Sequence, residues 1–183
     1  MGESHLPPGV TPLVAMLASD LSYFQAARQP LENLFGPIAL ESPVYAFDKT
    51  AYYTPSMGLA LKRQFFTFER LADPAGLADW KLTTNTLETE LKQCLAPSGT
   101  PQRPINLDPG YLTGAKLVLT STKNFAHRIY LRNGIFAEIT LNFRGAQWVG
   151  HQFTFPDFKS GMYNDFLEKA RDVHLRKIKN TIA

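Results

Sequence analysis

The sequence predicts an α+β domain: a mainly antiparallel sheet with helices packed on it, built as a ferredoxin-like core extended by a β-hairpin and a C-terminal helix. Three observations predict it. The early part of the chain alternates strand-length apolar runs and helical stretches in the order strand–helix–strand–strand–helix–strand. An Asn133-Gly134 pair then sits between two apolar strand patterns, the dipeptide that a tight type I′ turn favours because both central residues need positive φ. The chain closes on Met162, Phe166, Ala170 and Val173, an apolar stripe at helical spacing.

Taken in order, residues 1–11 read as a flexible, proline-containing tail, and 12–183 as one domain. Leu13 to Ala18 is an unbroken apolar run, the pattern of a strand buried on both faces. Ser19 or Asp20 caps a helix reaching about Leu34, with a break or kink expected at Pro30 and a stop at Phe35-Gly36-Pro37. Residues 38–47 read as extended and interrupted by Pro43, residues 48–58 as a tyrosine-rich loop, and 61–69 as a strand. Asp73-Pro74 starts an amphipathic helix that runs to Leu95 with Leu77, Trp80, Leu87 and Leu91 inward. Residues 96–101 form a short loop, and a final helix spans about Met162 to Ile178.

Composition narrows the function classes. The 183 residues are 44% hydrophobic and 19% charged, a globular balance with thirteen Phe and seven Tyr. A net charge of +3 permits an anionic partner without demanding one. The single cysteine, Cys94, rules out an internal disulfide or a cysteine metal cluster, and reads as a partly buried small hydrophobe at a helix end. No signal peptide and no membrane-length apolar run is visible, so the expected compartment is the cytoplasm, with no membrane partner.

A dense polar segment runs from Asn106 through Asp108-Pro109-Gly110-Tyr111 and Gly114-Ala115-Lys116 to Ser121-Thr122-Lys123. Together with Phe35-Gly36-Pro37, Leu61-Lys62-Arg63, Lys81-Leu82-Thr83-Thr84-Asn85, His127-Arg128-Ile129-Tyr130-Leu131 and Gly134 to Glu138, it resembles the family called domain of unknown function 4416. The resemblance covers most of the chain from Leu13 onward. It implies a bacterial or archaeal type of cytoplasmic protein and no established function. Members of that family are sometimes labelled GTP-binding, but the residues here do not make a P-loop. That motif needs two glycines with four residues between them, followed by Lys and then Ser or Thr. Only three residues lie between Gly110 and Gly114, Ala115 intervenes before Lys116, and Leu117 replaces the hydroxyl.

The candidate chemistry lies elsewhere. With Asn133-Gly134 as the turn, Tyr130 faces Ala137 and Ile129 faces Glu138, which puts His127 and Glu138 diagonally on one sheet face. A carboxylate beside an imidazole suits a general acid–base, and equally a structural histidine. Asp108 is a second candidate carboxylate. For an anionic ligand the candidate residues are Lys62, Lys116, Arg128, Tyr111, Ser121 and Thr122, with Arg63 and Lys123 as further cations. Arg128 on an apolar hairpin face needs a partner, either the ligand or an internal carboxylate such as Glu69. Lys81, Thr84, Asn85 and Glu88 share one helix face, which is either solvated or lines a cleft. No spacing matches a metal-ligand pattern, so no metal is expected and the cofactor is unspecified.

These residues support two principal readings and a third, weaker one. The first is a module that binds a phosphorylated small molecule or nucleotide at Lys116, Arg128 and the loop from Asp108 to Gly114. The second is an enzyme on the same ligand class, with His127 as acid–base, Glu138 as its orienter and Asp108 as a second carboxylate. RNA binding is weaker, given the small charge and the lack of an RNA-binding motif.

Overall fold

The structure, a computed structural model, describes residues 2–95 and 101–182. Strand β1 (Thr11–Ala18) is buried along its whole length, as its unbroken apolar run requires. It lies antiparallel between β4 (Lys62–Phe68) and β5 (Ile105–Leu112), and β2 (Ile38–Glu41) joins the far side of β4. Helices α1 (Leu21–Phe35) and α3 (Leu77–Leu95) make the crossovers. The order β2-β4-β1-β5 is therefore ferredoxin-like, as the sequence predicts. Beyond β5 the sheet continues through β6 (Lys116–Ser121) and β8 (Ile135–Arg144) to the edge strand β7 (Ile129–Arg132). Two short strands, β3 (Tyr45–Ala46) and β9 (Gln147–Val149), pair with β4 and β8.

Local chemistry sets the helix ends. The Asp20 carboxylate accepts the Ser22 N–H at 2.8 Å and starts α1. The helix continues through Pro30 and stops at Gly36, which adopts φ 88°. Asp73 accepts the Ala75 N–H at 2.9 Å, and Pro74 opens a 3-10 turn leading into α3. Two single-turn helices, α2 (Thr54–Met57) and α4 (Pro156–Lys159), precede the long α5 (Asn164–Ile182).

Alternate residues of β1 feed two cores. Val14 and Met16 pack with Phe24 and Leu31 of α1 and Leu87 of α3, while Leu13 and Ala15 pack with Phe158, Phe166 and Leu167 from α4 and α5. A buried hydrogen bond between Thr11 Oγ1 and His174 Nδ1, 3.0 Å, ties α5 to β1. No helix among the described residues is long and apolar enough to cross a membrane.

Several expectations are corrected. Asp108-Pro109-Gly110 reads as a turn, but it lies inside β5, with Pro109 opposite Val14 of β1. Asn133 and Gly134 form the expected turn, with φ 53° and 74°. A bulge then slips the register, so Tyr130 faces Phe136 and Ile129 faces Ala137. All four residues of β7 are exposed, Ile129 by 70%. Cys94 is exposed as well. The loop expected at 96–101 falls almost wholly outside the described residues.

Gly110 marks where β5 and β6 meet most closely. A Cβ there would lie 2.1 Å from the Val118 carbonyl oxygen, so the strands could not keep their spacing. Gly110→Ala is expected to cost about 1–3 kcal/mol. That predicts a fall in thermal midpoint of several degrees, at about 2–4 °C per kcal/mol for a chain of this size. An unchanged midpoint would show that the strands part without penalty.

Candidate functional site

The site begins with a backbone defect. Hydrogen-bonded pairing of β5 with β6 covers only Gly110↔Leu119, Tyr111↔Val118 and Leu112↔Leu117. Pro109 is next in line, and its carbonyl accepts from the Thr120 hydroxyl at 2.7 Å, so it points toward β6. In an antiparallel strand the N–H of a residue points the same way as its C=O, and proline has none to give. The ladder ends there, and β5 and β6 are unpaired beyond it.

Helix α3 takes over the edge that β6 leaves. Leu107, two residues back, presents its N–H and C=O on that same side. Glu88 Oε1 accepts the N–H at 2.7 Å, and Lys81 Nζ donates to the carbonyl at 2.6 Å. Lys81 also meets the Asp108 carboxylate at 3.0 Å with only 3% of its side chain exposed, and Arg103 forks onto Glu88. The polar face of α3 is thus turned inward, lining a cleft.

That cleft has a volume of about 450 Å³. Its floor carries Arg63, Lys81, Asn106 and Asp108. Tyr52 and Tyr53 line it from the turn before α2, Phe125 and His127 from the turn after β6, and Phe153, Phe155 and Phe158 from the segment after β9. Burial works against the charge on Asp108, but the Lys81 ammonium, the Asn106 amide at 2.6 Å and the Arg63 guanidinium outweigh it. Its carboxyl is held below the usual carboxylate value. Burial raises the Glu88 carboxyl, against the pull of Lys81, Arg103 and the Leu107 N–H.

His127 and Glu138 do meet, with Nε2 to Oε2 at 3.0 Å. The slipped register does not place them; the turn of Phe125 to Arg128, which precedes β7, does. The same Glu138 oxygen accepts from Arg128 Nε at 2.7 Å. Glu138 and not Glu69 is therefore the partner of Arg128, and Glu69 pairs with Lys177 at 3.5 Å. The His127 ring stacks on Phe153 at 5.1 Å, and its Nδ1 is buried without a partner. His151, 5.3 Å away, is spoken for at both nitrogens. Its Nδ1 accepts the Phe153 N–H and its Nε2 meets the Ile139 carbonyl, a structural role that leaves neither nitrogen free.

Of the sequence-predicted residues, His127, Glu138, Asp108, Arg128, Ser121 and Thr122 line this cleft, and Lys62, Lys116 and Tyr111 do not. Lys62 reaches the Ser19 carbonyl instead. Lys116 opens β6 and Tyr111 lies near the end of β5, both on the far side of the Gly110 contact. The stretch from Asp108 to Leu112 is paired strand and offers no loop of free amides. Sequence reading missed Arg103 and the phenylalanines at 153–158. Only their clustering in space marks them. Among the described residues no group of three His, Cys, Asp or Glu side chains is placed to hold a metal ion.

Fold and site together define an extended ferredoxin-like α+β protein with an aromatic and charged cleft where its sheet comes apart. The chain belongs to the family described as domain of unknown function (DUF4416), whose model matches residues 8–174. None of the curated proteins and none of the solved structures compared with the chain matches it.

A carboxyl held low in the folded state stabilises the protein above its unfolded value, about 3.9, and that contribution is lost as pH falls through the folded value. Asp108→Asn is therefore expected to lower stability at pH 7 by about 2 kcal/mol. Its loss of stability below about pH 4 should be shallower than in the parent protein. Denaturant melts across pH 2–7 check both; parallel acid limbs would remove Asp108 from the network.

Proposed function

We propose that this protein binds a small planar anion in the cleft, with nucleotides and other phosphorylated small molecules as the ligand class. The observation that carries the reading is the lining itself. Rings surround a floor of hydrogen-bonding groups, and the charged side chains are five cations (Arg63, Lys81, Arg103, Lys123, Arg128) against two carboxylates (Asp108, Glu138). A volume of about 450 Å³ suits one small molecule. The cations gather in a pocket and do not form a strip along the surface, which favours a small ligand over RNA. The cytoplasm is the compartment that goes with this reading.

Lys123 is the rim cation with no carboxylate partner among the described residues; its ammonium donates to the Tyr52 hydroxyl and lies 4.5 Å from that ring's centre. A thermal-shift screen of nucleotides and sugar phosphates tests the proposal. Ligand at about a hundred times its dissociation constant adds roughly 2.7 kcal/mol, a shift of roughly 5–10 °C. Lys123→Ala should weaken the bound ligand about tenfold, the worth of one charge-assisted contact. Lys116→Ala, remote from the cleft, should not. A flat screen, or equal losses in both variants, would sink the reading.

The unpartnered Nδ1 of His127 favours a second reading, in which the site also performs acid–base chemistry on its ligand. With Nε2 donating to Glu138, Nδ1 of the neutral ring holds the lone pair. Under this reading, His127→Ala keeps ligand affinity within about threefold but abolishes any conversion seen by mass spectrometry of the incubated ligand. A variant that loses its cooperative melt returns His127 to a structural role.

A further inference from the structure

Arg63 differs from the other cations of the cleft. It projects from β4 with 5% of its side chain exposed, paired with the fully buried Asp157 of α4 at 3.3 Å. Its guanidinium carbon lies 4.9 Å from the Phe47 ring centre and 5.5 Å from that of Phe158. The other buried or half-buried cations are committed. Lys81 is taken by the Leu107 carbonyl and Asp108, Arg103 by Glu88, and Arg128 by Glu138 and the Lys123 carbonyl. The Arg63 guanidinium has the Asp157 carboxylate and the Tyr163 hydroxyl beside it, and its Nε is a buried donor without an acceptor among the described residues. A guanidinium carries five N–H donors in a planar fork, and a buried donor left empty is costly. A fork held in place by stacked rings and open to a cleft fits an oxyanion that completes it.

We propose that Arg63 receives the ligand's charged group at the floor of the cleft, and that this group is a singly charged oxyanion, a carboxylate or a phosphodiester, on a planar ring. The inference rests on the small-anion reading above and fixes the charge that anion carries; a phosphodiester stays within the phosphorylated class named there, and a carboxylate replaces it. The limit to one charge comes from the neighbours. Asp157 lies against Arg63 on one side, and the charge of Asp108 also reaches it. Counting the carboxylates behind the lining, the five cations face Asp108, Glu138, Glu88 and Asp157, which leaves one positive charge, 5 − 4 = 1. A doubly charged phosphate monoester at the floor would face two carboxylates with only the rim Lys123 left to balance it.

Titration calorimetry at pH 8 tests this with probes of graded charge: adenosine and nicotinamide as neutral rings, cyclic AMP and nicotinate as single charges, AMP as a double charge. One singly charged probe is expected to bind at least tenfold tighter than its neutral counterpart and than AMP. Which of the two it is distinguishes phosphodiester from carboxylate. Arg63→Lys keeps the charge but removes the fork, and is expected to lose at least tenfold of that affinity while its circular dichroism and melt remain those of a folded protein. Undiminished binding by folded Arg63→Lys, or AMP bound tighter than both single charges, would overturn the inference and leave the small-anion reading standing. If Arg63→Lys does not fold, the charge series on the parent protein decides alone. Failure of every probe at millimolar concentration would overturn both.

Discussion

The shape of this protein turns on a hydrogen bond that cannot be made. Backbone N–H and C=O groups in a folded chain must find partners, and in the middle of a sheet the neighbouring strand supplies them. Pro109 faces β6 with a carbonyl and no N–H, so the ladder that runs back from Leu112 ends at Gly110. Gly110 lets the strands touch just before they part, because any side chain there would strike the Val118 carbonyl. One glycine and one proline therefore join the ferredoxin-like half to the β6–β9 half and also hold open the gap between them.

The exposed edge of β5 then dictates much of the charge pattern. Leu107 needs an acceptor and a donor, and α3 provides Glu88 and Lys81. Two charges brought into a half-buried space need counterparts in turn, which Arg103 and Asp108 supply. The result is a chain of neighbouring opposite charges whose members are largely satisfied by one another. Much of the polarity of the cleft is thus structural in origin, and a functional argument has to rest on the groups this chain leaves over. Those are Arg63, whose Nε has no acceptor, Lys123 at the rim, and His127 Nδ1.

The core architecture was legible because each of its signals is local. The apolar run of β1, the Asp20 and Asp73 caps and the Asn133-Gly134 turn each carry their own physical instruction. What misled was Asp108-Pro109-Gly110. These residues favour a turn in isolation, yet here they are the means of ending one ladder while β1 keeps the strand extended on its other side. Lys116 reads as a phosphate ligand if that segment is a loop, and as strand the segment leaves Lys116 outside the cleft. The bulge at the hairpin is equally invisible, since Asn133-Gly134 signals the turn and carries no signal for a register shift beyond it. His127 met Glu138 all the same, through a turn that no strand register describes. The row Lys81, Thr84, Asn85 and Glu88 did carry a legible hint, because such residues are poor choices for a helix face with nothing to meet.

The geometry around Glu138 sets the order of the two functional readings. One carboxylate oxygen accepts from both Arg128 and His127. The guanidinium is permanently charged and keeps that carboxylate occupied, so His127 is oriented by a group already neutralised and not by a free anion. Its remaining nitrogen is covered by the rings of Phe125 and Phe153, and a ligand reaches it only if that turn shifts. Arg63 lines the cleft too, with Asp157 on one side of its guanidinium and an Nε as buried as His127 Nδ1. Recognition can begin with the rings and with Lys123 at the rim, which need no such shift, whereas catalysis needs a movement of the turn from Phe125 to Arg128. Binding is therefore the reading that this arrangement of atoms supports first.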